Sequence, residues 1–76
     1  MKAKESLLEI VNSIRVNKGL ELLSDIKPSD NLRNDIGFTS FDLAELTVNI
    51  EDEFDVDIFA DGLVNTVGEI LEKLNK

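Results

Sequence analysis

With 76 residues, 42% of them hydrophobic, the chain has material for one small core, and residues 1–76 read as a single domain. It contains no His and no Cys, which excludes Ser–His and Cys–His nucleophile pairs and the usual nitrogen- or sulfur-ligated zinc site, so an enzyme working alone is not expected. The net charge of −8 sets up a field that repels nucleic acid and anionic lipid and attracts a basic protein surface.

That charge is unevenly spread. After Arg33 the next basic residue is Lys73, and every charged residue between them is acidic. Composition alone leaves two readings of this run open: a solvated face kept for solubility, or a docking face for a cationic partner. No apolar run approaches the ~20 residues needed to cross a bilayer, and the N-terminus lacks the apolar core of a signal peptide. A cytoplasmic protein with no membrane insertion is therefore expected, acting as a monomer.

In chain order, Leu7, Ile10, Val11 and Ile14 recur at helical spacing and predict an amphipathic helix over residues 3–16. Gly19 lies just past it, where a left-handed helix-ending residue is often needed. Residues 17–38 mix Leu20, Leu22, Leu23, Ile26, Leu32 and Ile36 with polar residues and Pro28. This is the pattern of a loop pinned to the core by spaced apolar anchors, unlike a free linker. Residues 40–54 give the clearest helix, with Leu43, Leu46, Thr47, Ile50 and Phe54 on one stripe. Asp42, Glu45, Val48, Asn49, Glu51 and Asp52 point elsewhere, and Phe41 and Val48 form an apolar pair on an acidic outer side.

Residues 55–65 read as a link with one short helical turn, anchored by Ile58, Phe59 and Leu63. Thr66 and Glu69 have capping-box spacing, followed by Val67, Ile70, Leu71 and Leu74 at helical intervals, which predicts a last helix over residues 66–75. Strand signals are absent. The expected fold is an all-α bundle of three main helices plus one short helix, with a long loop after the first. The acidic cluster Asp55, Asp57, Asp61 fails as an EF-hand: counted from Asp55, positions 5, 6 and 12 hold Phe59, Ala60 and Thr66. No metal site is expected, beyond weak and diffuse attraction of divalent ions to the acidic surface.

Ser40 stands at the start of the clearest helix. A serine there commonly serves as an N-cap. Thr39 competes for that role, because Thr39 and Asp42 match the S/T-x-x-D/E capping box. If Thr39 is the cap, the Ser40 hydroxyl is left free, beside helix N–H groups and a positive dipole end that favour a phosphate. Gly37 permits the turn that leads in.

The stretch DIGFTSFDLAELTVNIEDEFDVDI resembles the core motif of acyl carrier proteins. In that family a D-x-G-x-D-S-L segment leads into an acidic helix ending in E-E-F-x-(I/V)-x-(I/V). The resemblance extends over the whole chain in the order of its elements, in a domain of the expected length. It implies that a phosphopantetheinyl transferase attaches 4'-phosphopantetheine to Ser40 through a phosphodiester, and that acyl groups ride on the arm as thioesters. It also implies an acyl-sheltering space lined by Leu43, Leu46, Ile50 and Phe54. Acyl-loading and acyl-accepting enzymes with basic patches would dock on Thr39, Phe41, Asp42, Ala44, Glu45, Val48, Glu51 and Asp52. Thr39 stands where the family usually has Asp, and Phe41 where it has Leu. Those departures, which remove one carboxylate beside the serine, point away from the general fatty-acid enzymes and to a specialised stand-alone member. The resemblance as a whole implies service to a fatty-acid, lipid or specialised acyl-transfer pathway, and Gly37 alone does not match the G-G-x-S of peptidyl carriers. The alternative is a non-carrier acidic adaptor that docks on basic proteins with Ser40 unmodified. A hydrolase using Ser40 would lack a base to activate the hydroxyl.

Overall fold

The computed structural model describes residues 2–60 and 62–75. It comprises α1 (Lys2–Asn17), α2 (Ser40–Phe54) and α3 (Val67–Leu74), with no strand beyond one isolated bridge, Asn31 to Thr66, among the described residues. None of these helices is long and apolar enough to cross a membrane. α1 packs on both α2 and α3. Its inward stripe is Leu7, Val11 and Ile14, facing Leu46 and Ile50 of α2 and Val67 and Ile70 of α3 across one shared core. Ile10 is only partly buried, at the edge of that stripe.

α1 ends as its sequence predicts. Gly19 takes φ +85°, its N–H donates to Val16 O at 2.9 Å, and Leu20 N donates to Arg15 O at 2.9 Å. These two bonds form the pattern in which a left-handed residue ties off a helix. α3 starts on Thr66, whose hydroxyl accepts from Glu69 N at 3.2 Å while Glu69 Oε1 accepts from Thr66 N at 2.9 Å. The Glu69 carboxyl is held below its ordinary value by N–H donation from Asn65 and then Thr66.

The loop between α1 and α2 is fastened in two ways. Ile26, Leu32, Ile36 and Phe38 are buried in the core, whereas Leu20 and Leu22, predicted as anchors, are exposed. What holds that first part of the loop is polar. Asn12 pairs with the backbone of Leu23 through both of its amide atoms, at 2.8 and 2.9 Å. Arg15 donates to the carbonyls of Glu21 and Ile36. Asn12 and Arg15 on α1 and Lys18 in the turn just past it recur every three residues, so polar side chains grip the loop at successive heights.

The segment after α2 also departs from expectation. Its described residues form turns in place of the predicted short helix, with Ala60 N donating to Asp57 O and Gly62 N to Phe59 O, each at 3.2 Å. Asp57 Oδ1 accepts from Phe59 N at 3.0 Å, a side-chain turn that competes with helix formation. Ile58 is fully buried, but Leu63, predicted as a core anchor, is 85% exposed; the neighbouring Val64 is buried instead. Asp61, part of the acidic cluster, lies outside the described residues.

The sharpest correction concerns Asp42. Predicted to face outward on a partner surface, it is only 6% exposed. Three groups account for this. Its Oδ2 accepts from Thr39 N at 2.8 Å and from the Thr39 hydroxyl at 3.0 Å, and Lys18, just past the end of α1, forms an ion pair with it. Lys18 also donates to Gly37 O at 3.1 Å, so one ammonium closes both the loop and the helix start. The bond from Lys18, then that from Thr39 N–H, holds the Asp42 carboxyl below its ordinary 3.8. A carboxyl with a depressed folded pKa adds stability above its ordinary value and loses it as the pH falls through the folded one.

Two outcomes follow from this packing. Leu46→Ala should cost about 2–5 kcal/mol in urea unfolding, a large part of the roughly 4–11 kcal/mol expected of a domain this size, while Leu63→Ala should change it by less than about 0.5 kcal/mol. Equal effects would contradict the assignment of core and surface. Asp42→Ala should destabilise by about 1–3 kcal/mol at neutral pH, and the gap to wild type should close as the pH is lowered below 3.8. A gap independent of pH would show that the charge of Asp42 contributes nothing.

Candidate functional site

Ser40 is the first residue of α2 and is exposed. The cap beside it is complete without it: Thr39 Oγ1 accepts from Asp42 N at 3.3 Å, and Asp42 Oδ2 accepts from Thr39 N at 2.8 Å. Both halves of the box come from residues flanking Ser40, so its hydroxyl is not drawn into the helix end. Gly37, three residues earlier, takes φ +87°. That left-handed turn lets Phe38 go into the core and brings the chain round to Thr39.

The Ser40 hydroxyl accepts a hydrogen bond from Arg33 Nη2 at 3.0 Å. Arg33 sits on a tight turn in the loop. Asn31 Oδ1 accepts from Arg33 N and Asn34 N, each at 2.9 Å, and Asp35 Oδ2 accepts from Asn31 N at 2.7 Å. Leu32 anchors that turn in the core and donates its N–H to Asn65 O at 2.8 Å, beside the start of α3.

Behind the hydroxyl lies a groove of about 390 Å³, lined by Arg33, Ser40, Leu43, Ala44, Thr47, Phe59 and Leu63. Ser40, Leu43, Ala44 and Thr47 are spaced to share one side of α2; Phe59 and Leu63 form the opposite wall from the link. Of the four residues expected to line an acyl space, only Leu43 faces this groove. Leu46 and Ile50 are sealed in the core against α1, and Phe54 is half-buried against it. A helical wheel gives the inward direction but cannot divide it between core and groove.

The other expected residues fall as follows. Phe41 (81% exposed) and Val48 (64%) stand out on α2, with Ala44, Glu45, Glu51 and Asp52 exposed around them. Thr39 is exposed at the residue level but its hydroxyl is committed to Asp42. Asp42 is withdrawn from this face altogether. Among the described residues no three His, Cys, Asp or Glu side chains converge to hold a metal ion. Arg33, Phe59 and Leu63 were not foreseen at the site. The one signal for Arg33 was its place as the last base before the acidic run.

The group touching the hydroxyl is a guanidinium, which donates hydrogen bonds and stays protonated, so it cannot take the serine proton. The exposed Ser40 hydroxyl thus stands between a cationic donor and a largely apolar groove.

No solved structure matches the chain at a significant level. A family model described as the phosphopantetheine attachment site matches residues 7–74, which takes in all of α2 and α3 and most of α1. Members of that family carry 4'-phosphopantetheine covalently on a serine. The chain belongs to this family of phosphopantetheine-carrying, acyl-carrier-type domains.

Proposed function

We propose that Ser40 is the attachment residue, and that the chain carries acyl intermediates as thioesters between cytoplasmic partner enzymes of a fatty-acid, lipid or specialised acyl-transfer pathway. The observation that carries this reading is the exposed Ser40 hydroxyl, left out of a completed cap and set at the mouth of an apolar groove. When bound, phosphopantetheine supplies a terminal thiol, which the cysteine-free chain lacks. The chain's own residues do the rest. Thr39 and Asp42 hold the helix start so that Ser40 Oγ is presented outward. With coenzyme A as donor, the hydroxyl oxygen would form the new bond to phosphorus as the pyrophosphate P–O bond breaks and adenosine 3',5'-bisphosphate leaves. The serine proton would pass to a group on the transferase, because the side chain bonded to Ser40 here is the Arg33 guanidinium, which is not a base.

Partner docking falls on the outer side of α2. Phe41, Ala44 and Val48 make an apolar centre, and Glu45, Glu51 and Asp52 an acidic surround, the arrangement of a transient interface with a basic partner. Asp42, buried and paired with Lys18, is not part of that surface.

The attachment is tested by intact mass after incubation with coenzyme A and a phosphopantetheinyl transferase. Wild type should gain one phosphopantetheine-sized increment and Ser40→Ala none. No gain in wild type would instead favour an acidic adaptor that works unmodified. The docking face is tested by the double variant Glu45→Lys, Asp52→Lys. Its unfolding free energy should stay within about 0.5 kcal/mol of wild type, while its modification rate should fall about tenfold or more at low salt. An unchanged rate would reduce the acidic face to a solubility device.

A further inference from the structure

Arg33 is unusual in its surroundings. It is the only basic residue between Lys27 and Lys73, in a chain with 16 acidic and 8 basic side chains. Lys18 and Lys4 are paired with Asp42 and Asp25, whereas Arg33 makes no ion pair among the described residues. With acidic side chains so plentiful, its guanidinium is aimed at a neutral hydroxyl, Ser40 Oγ, at 3.0 Å. Its placement is also fixed from below. Leu32 and Ile36 on either side are buried, and the Asn31 side chain binds the Arg33 backbone N–H at 2.9 Å. A long cation on a rigid turn, at the rim of an apolar groove and without an anion, is half of a recognition site.

We propose that Arg33 positions the prosthetic arm. The inference rests on Ser40 being the attachment residue. Esterification of Ser40 puts a singly charged phosphodiester where the guanidinium already points, and the planar fork can bridge two phosphate oxygens. The contact passes from the serine oxygen to the non-bridging oxygens, and no bond to Arg33 is made or broken. Held on that side, the arm is directed over Leu43 and Thr47 toward Phe59 and Leu63, and away from Phe41 and Val48. Because the pair is exposed, the bias is modest, about two- to fivefold in the population of the held arm. A bias of that size keeps the arm near the groove at rest and still lets a partner enzyme draw it out.

The test uses holo wild type, Arg33→Met, which keeps the length and removes the charge, and Arg33→Lys, which keeps the charge. Each is first taken to complete phosphopantetheine mass gain, and a melting curve confirms that each is folded. Phosphorus NMR reports the phosphodiester resonance, and proton cross-relaxation reports contacts between the arm's methyl groups and the Leu43 and Leu63 methyls. The expected result is a moved phosphorus resonance and methyl contacts weakened about two- to fivefold in Arg33→Met. Arg33→Lys should fall between, and about 1 M salt should reproduce the Arg33→Met spectrum in wild type by screening the pair. Identical resonances and contacts in wild type and Arg33→Met would overturn the role of Arg33 while leaving Ser40 as the attachment residue. Absence of any mass gain in wild type would overturn both.

Discussion

At the start of α2 the first backbone N–H groups have no partner within the helix. Thr39 and Asp42 take up that demand from either side of Ser40. Lys18, reaching from the end of α1, neutralises the carboxylate that completes the box. The three side chains close the helix end and hold the loop carbonyl of Gly37 to α1 at the same time. Had the cap been weaker, the Ser40 hydroxyl would be the nearest alternative acceptor, and it would be engaged with its own backbone. Its freedom is therefore a consequence of a cap already filled by its neighbours.

The same economy governs the charges. Arg15 of α1 and Lys18 just past it are engaged with the carbonyls of Glu21, Ile36 and Gly37 and the carboxylate of Asp42. Those cations cannot also offset Glu45, Glu51 and Asp52, so the outer side of α2 keeps a single sign. Arg33 is the exception, and it stands at the groove and not on the acidic face. On the proposed function, positive charge beside the hydroxyl would hold an anionic linker, and negative charge along the helix would attract a basic enzyme.

Much of this was legible from spacing alone. The three helices, both capping boxes, Gly19 and the exposed Phe41/Val48 pair follow from local rules that tertiary packing did not override. Asp42 was misplaced because a wheel treats a charged residue off the apolar stripe as solvated, whereas Lys18, 24 positions earlier, together with the two Thr39 bonds makes its burial tolerable. Leu20, Leu22 and Leu63 were misread as anchors because in irregular chain no periodicity says which apolar residue turns inward. The groove was partly hidden for a similar reason: its second wall comes from the link, whose course depends on the Asp57 turn and the burial of Ile58. Arg33 could be seen in the sequence but not assigned, since seven residues and a turn separate it from Ser40.

The central claim is that one particular hydroxyl, kept out of the helix cap, carries the arm. Fragmentation mass spectrometry of the protein purified from its own host addresses it directly. The phosphopantetheine increment should map to Ser40 and leave Ser6, Ser13, Ser24 and Ser29 unmodified. An increment on any of those four serines, with Ser40 bare, would contradict the account.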